Sequence, residues 1–318
     1  MLPLKLLDWI DMNILDWFYL SENPKAIQLL RQYPEKINWS MLSGNPEAIE
    51  LLKENIDKID WYILSGNPNA IELLKENLDK INWSVLSTNI NAIEILRENK
   101  HKINWFLLSG NINAIELLSE NQENIDWNIL SENKNAIDLL KANIDKINWR
   151  YLSENENAIE ILKKNVENIN WYYLSGNPNA IELLEKNKEM IHWRILSRNP
   201  NAIKLLKENP HKIVWTTLSY NYNAIDLIKN NLDKIIIYDG LSENINNIDL
   251  LKGNLDKIIN LKTLSANPAI FTYDYEKMRN SNLTLKEEIV AAALHPKRIF
   301  RLIDEYGEEE IYNIYLDD

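Results

Sequence analysis

Cysteine is absent from this chain of 318 residues. That excludes a disulfide framework, a Cys-based zinc site and a thiol nucleophile, and it suits an intracellular protein. Glycine is scarce, with seven residues, so loops that cradle phosphate have little to be built from. No P-loop, dinucleotide fingerprint or nucleophile elbow occurs. No run of 18 uncharged residues exists, so the sequence predicts no transmembrane helix and no membrane partner. The apolar N-terminus carries Asp8, Asp11 and Asp16 and lacks a basic start, so it does not read as a signal peptide. Excess positive charge is missing too: the formal net charge is −12, which disfavours nucleic acid and anionic membrane.

What the chain has is a repeat. Trp recurs at 17, 39, 61, 83, 105, 127, 149, 171, 193 and 215, always at the same interval. Two further units follow with one-residue slips, marked by Ser219, Ser242 and Ser265, with Tyr238 and Leu261 in the Trp place. The motif reads N-P-x-A-I-E-L-L-K-x-N-x-D-K-I-N-W-x-x-L-S-x. A period of this length means a stacked array. In the third unit, Asn67 before Pro68 reads as a helix N-cap with Pro at the first helical position. Ala70, Ile71, Leu73 and Leu74 share one helical arc, and Glu72 and Lys75 face outward. Asn77 reads as a left-handed helix end. Asn82 caps a second helix in which Trp83 and Leu86 share the buried face.

The expected fold is therefore all-α: an α-solenoid of about twelve two-helix repeats of 22–23 residues with helical N- and C-terminal caps. Residues 1–16 form the N-terminal cap, 17–271 the solenoid and 272–318 the C-terminal cap. Layers of about 8–10 Å predict a rod on the order of 100 Å long, with Trp in the core. A leucine-rich-repeat solenoid is the alternative, since it shares the period and a recurring Asn. It requires alternation through residues 81–84, and position 84 and its counterparts hold Ser84, Arg150, Arg194 and Thr216. The column Asn23, Asn45, Asn67 onward reads as caps. A polar groove for peptide backbone is the other reading of it.

Function belongs to what differs between repeats. The residue after Trp is variable and rich in aromatics and Arg, the types that anchor interfaces. Phe18, Tyr62, Phe106, Arg150, Tyr172 and Arg194 are the candidate partner-binding residues. Residues 190–217 carry five basic side chains against Glu208, which could steer an acidic partner. At the C-terminus, Thr284 and Glu287 read as a capping box, Gly307 as a helix end and Lys297, Arg298 and Arg301 as a basic patch. An acidic tail follows. The four His have no metal-ligand spacing: His101 and His211 share a column five repeats apart. Carboxylates sit on solvated helix faces, and none is singled out as an acid or base. The chain reads as non-enzymatic, without cofactor or metal.

The string L-S-x-N-P-x-A-I-x-L-L-x-x-N-x-x-x-I-x-W, followed by Asn267-Pro268-Ala269-Ile270-Phe271, Tyr273-Asp274-Tyr275 and His295-Pro296-x-Arg298, resembles the 22-residue Asn/Trp repeat proteins encoded by giant DNA viruses of protists. The resemblance covers nearly the whole chain and departs in units eleven and twelve, where Trp is lost. It implies a virus-encoded intracellular protein of host cytoplasm or virion and carries over no catalytic residue. Three functions follow as expectations: a scaffold that binds a protein, a nucleic-acid-binding helical repeat, or a structural virion or assembly component.

Overall fold

The computed structural model describes residues 2–235, 239–246, 248–257, 261–281, 295–307 and 311. It is an all-α repeat solenoid, and its elements recur with the Trp period. The third repeat shows the unit: a leading helix Trp61–Leu64, a trailing helix Ile71–Lys75 and a 3-10 turn Leu78–Lys80. Helices this short are marginal alone in water, so packing and caps must hold them. Asp60 Oδ1 accepts from the amides of Tyr62 and Ile63 at 3.1 and 3.3 Å. Asn82 Oδ1 does the same for Val85 at 3.0 Å. Leu64, Ala70 and Leu74 are fully buried. Lys75 reaches Glu72 at 2.9 Å as the spacing predicts. That exposed pair contributes roughly 0.2–0.5 kcal/mol.

Two local expectations differ from the structure. The Asn77 column is not left-handed, for Asn77 has φ −136°, and among the described residues only Gly253 and Gly307 have positive φ. Asn77 ends its helix by side chain instead: Nδ2 donates to the Leu73 carbonyl four residues back, at 2.9 Å. The Trp column is half-buried rather than core. Six of its rings, those of Trp17, Trp39, Trp61, Trp83, Trp127 and Trp215, are covered by Lys of the following turn, as with Lys58 4.5 Å from the Trp39 centroid and Lys102 4.3 Å from that of Trp83. A flat indole with a negative face suits an ammonium better than a second indole. The core consists of the Leu, Ala and Ile columns.

Contacts divide the chain into two compact units, Leu6–Phe271 and Met1–Lys5 with Thr272–Asp318. In the larger unit the leading helices pack on one another from repeat to repeat, and the series does not end. The first leading helix, Trp17–Glu22, packs against the twelfth, Leu261–Ala266. The seam uses the same bonds as any other junction. The Asp16 amide donates to Ser265 Oγ at 2.8 Å, and Asn23 Nδ2 donates to the Ser265 carbonyl at 3.0 Å. Their counterparts one repeat on are Asn38 to Ser21 Oγ and Asn45 to the Ser21 carbonyl, both at 3.0 Å. The array is thus a closed ring. Twelve layers of about 8–10 Å give a circumference on the order of 100 Å, not a rod of that length. The exposed face of repeat one, which the sequence assigns to an N-terminal cap, is covered by repeat twelve.

Residues 2–16 hold a short strand, Leu4–Leu6, and a 3-10 turn, Met12–Ile14, not the helical cap the sequence predicts. That strand pairs with Phe271–Tyr273 in one two-stranded sheet. In the smaller unit, helices span Tyr275–Ser281 and Pro296–Tyr306, and Gly307 with φ 93° ends the second. The expected helix from Thr284 through Glu287 to Leu294 lies outside the described residues, as does the acidic tail apart from Ile311.

Candidate interaction surface

The recurring Asn residues are buried between the repeats and, Asn244 apart, engaged there. Each Asn of the column from Asn23 to Asn267 is 0–5% exposed. Asn111 is typical. Its Oδ1 accepts from the Asn113 amide at 3.0 Å, which caps the turn. Its Nδ2 donates to the carbonyls of Ser87 and Asn89, in the preceding repeat, at 3.1 and 3.0 Å. The column is therefore both the cap the sequence predicts and a ladder that ties each repeat to the last. No amide group of Asn111 is left for a peptide backbone. The Ser column does similar work: Ser109 Oγ donates to the Trp105 carbonyl at 2.8 Å and accepts from the Asp126 amide of the next repeat at 3.0 Å. One rung is missing. Asn244 Nδ2 is buried without a partner, beyond the residue that lengthens the repeat between Ser219 and Ser242.

Adjacent repeats also match in shape. Where the fifth residue after Trp is Gly, the next repeat places Ile or Val two after its Trp: Gly44 with Ile63, Gly66 with Val85, Gly110 with Ile129, Gly176 with Ile195. A Cβ on these glycines would stand 3.1–3.2 Å from the branched methyl. The other junctions carry larger first residues, and none of them is followed by Ile or Val. Tyr220 inverts the arrangement and faces Gly240, whose added Cβ would lie 2.8 Å from the Tyr220 ring.

The predicted binding column projects into solvent. Phe18 is 43% exposed, Tyr62 59%, Phe106 53% and Tyr172 46%, and Arg150 and Arg194 are exposed as well. The ring does not gather all six into one site. Phe18 lies edge-on to Tyr19 with centroids 5.0 Å apart. Arg150 donates to the Tyr173 hydroxyl and stacks over that ring at 4.8 Å. Tyr172 meets Tyr173 at 5.2 Å and His192 at 5.2 Å.

Two of the six, Tyr172 and Arg194, line a cavity of about 1140 Å³ that spans repeats seven to eleven. One cavity bounded by five successive repeats requires their side chains to converge, and on a ring only inward-facing side chains do. The inner face is made by columns that the sequence reading passed over: two and five after Trp, and the Pro position. They supply Glu154, Tyr173, Arg198, Tyr220 and Tyr222. A signal for them was present in the paired Gly and branched residues of neighbouring repeats. Burial, and secondarily the charge of Glu132, push the Glu154 carboxyl above the usual carboxylate range.

No known protein family, curated protein or solved structure matches the chain.

Arg298 and Arg301, expected in a basic patch, are exposed on the helix Pro296–Tyr306, and Lys297 belongs to the same helix. Among the described residues no group of three His, Asp or Glu is placed to hold a metal ion. Among them, too, no helix is long and apolar enough to cross a membrane.

Proposed function

We propose that this protein is a non-catalytic ring scaffold that binds a protein partner through side chains that differ between its repeats. One observation supports this above the rest. The repeated polar groups are occupied in the ladder, while the variable column holds large aromatics 43–59% exposed on a rigid frame. Rigid, exposed aromatics with Arg are what protein interfaces use as anchors. The net charge of −12 weighs against the nucleic-acid reading. The resemblance to virus-encoded repeat proteins supports seeking the partner in an infected host cell or a virion. The test is affinity capture from such a cell, read by cross-linking mass spectrometry, with the wild-type chain beside F18A/Y62A/F106A/Y172A. A partner held by the wild type and lost by the variant supports the reading. Equal capture by both overturns the role of this column.

A further inference from the structure

The charges of the ring differ between its two faces. Around the trailing helices they pair with one another. Arg31 meets Glu54 at 2.7 Å, Arg97 bridges Glu116 and Glu120 at 3.0 and 2.7 Å, and Lys186 meets Glu182 at 2.6 Å. On the inner face, among the described residues, no such pairing forms. Glu132, Glu154 and Glu156 take part in no ion pair, nor does Arg194, and Arg198 has only the Tyr220 ring at 5.1 Å. These charges are also segregated. Glu132, Glu154 and Glu156 belong to repeats six and seven, with Lys134 beside them, and Arg194 and Arg198 to repeat nine, with Glu243 beyond them in repeat eleven. Tyr172 and Tyr173 of repeat eight stand between them.

We infer that the cavity takes an extended peptide segment bearing basic and acidic side chains about five residues apart, with apolar or aromatic residues between. This rests on the protein-binding reading and names its partner class. From Glu154 to Arg198 is two repeats, or at most about 16–20 Å at helix-packing spacing, since inward side chains converge. An extended chain covers that in about five to six residues. Few small metabolites hold opposite charges so far apart, whereas a polypeptide does so readily. A polyanion such as RNA meets Glu154 and Glu156 at one end of the cavity and Glu243 at the other. The basic side chain of the peptide faces Glu154 and Glu156, its acidic one faces Arg194 and Arg198, and the tyrosines cover the middle. Recognition is by side chains, because Asn199, which also lines the cavity, donates both Nδ2 hydrogens to Ser175 and Asn177 at 3.1 and 2.9 Å.

Fluorescence anisotropy on the full chain tests this with four labelled peptides. Two have Lys-Lys and Asp-Asp at opposite ends of Gly-Tyr-Gly-Tyr-Gly, one in each order, and two carry only Lys or only Asp at both ends. At least one mixed peptide should bind ten-fold or more tighter than either single-sign peptide, and added salt should weaken it. R194Q/R198Q and E154Q/E156Q, which alter exposed side chains, should each weaken that peptide at least ten-fold with the circular dichroism spectrum unchanged. Equal binding of a single-sign peptide, indifference to both double substitutions, or no saturation with either mixed peptide overturns the inference. If a cellular partner is still captured through Phe18, Tyr62 and Phe106, the scaffold reading survives that failure.

Discussion

Two identical substitutions at equivalent positions should have unequal effects. Asn111→Ala deletes one bond from the Asn113 amide at 3.0 Å and two to the carbonyls of Ser87 and Asn89 at 3.1 and 3.0 Å. The Ser87 carbonyl is left buried without that donor, the Asn89 carbonyl keeps the Ala92 amide at 3.1 Å, and the Asn113 amide is partly buried. A buried bond contributes about 1 kcal/mol, and a group stranded without water costs about 1–3 kcal/mol. The loss should therefore total about 3–5 kcal/mol. Asn244→Ala removes a side chain whose Nδ2 already lacks a partner and whose Oδ1 accepts one bond, from the Asn246 amide at 3.0 Å. That should cost about 1 kcal/mol. Urea unfolding followed by circular dichroism measures both, and amide exchange at Asn113 and Asn246 localises the effect. Equal destabilisation by the two would refute the ladder as the source of stability. Asn111→Asp sharpens the test: it keeps the acceptor, loses the donor, and should be at least as damaging as Ala.

Three further outcomes follow from the same geometry. Gly66→Ala places a Cβ 3.1 Å from Val85 Cγ1. It should destabilise by about 1 kcal/mol, and Val85→Leu, copying the natural Thr88 and Leu107 junction, should recover most of it in a double-mutant cycle. Because the folded pKa of Glu154 is raised, folding shifts it toward the protonated form, so its contribution to stability is present in acid and lost as pH rises through that pKa. Glu154→Gln should therefore raise the thermal midpoint at pH 8, and the gain should vanish by about pH 4; a gain independent of pH would contradict the assignment. Ser265→Ala removes the seam acceptor for the Asp16 amide at 2.8 Å, and Ser109→Ala removes its counterpart for Asp126 at 3.0 Å. In a closed ring the two should cost the same within about 0.5 kcal/mol, whereas an open array would lose much less at Ser265.

The repeat, its helical character and its main caps were legible because they are local. Asn82 and Asp60 sit where a helix start needs an acceptor, and Leu64, Ala70 and Leu74 keep helical spacing. The ring was not legible, because curvature is the sum of small rotations at each junction, set by pairs such as Gly44 and Ile63 that lie 19 residues apart in sequence. Trp39 was misplaced for a related reason. Its apolarity suggests burial, but its partner is Lys58, which looks like an ordinary turn residue until the end of its own repeat folds back over the indole. Asn77 was read from its tolerance of left-handed backbone, whereas its Nδ2 reaches a carbonyl without it. At the surface, Tyr172 and Arg194 were found by their variability. Glu154, Tyr173 and Arg198 were missed because their columns look like packing positions when read one repeat at a time.

Closure also changes how such an array comes apart. In an open stack the terminal repeats have one neighbour each, and unfolding begins there by fraying. Here the Leu7 amide bonds the Ile270 carbonyl at 2.9 Å, so the chain enters and leaves the ring at one place, and every repeat has two neighbours. The stack obeys a periodic boundary condition. Opening any single repeat breaks two interfaces, and only after that first break does a frayed end exist from which the remainder can peel.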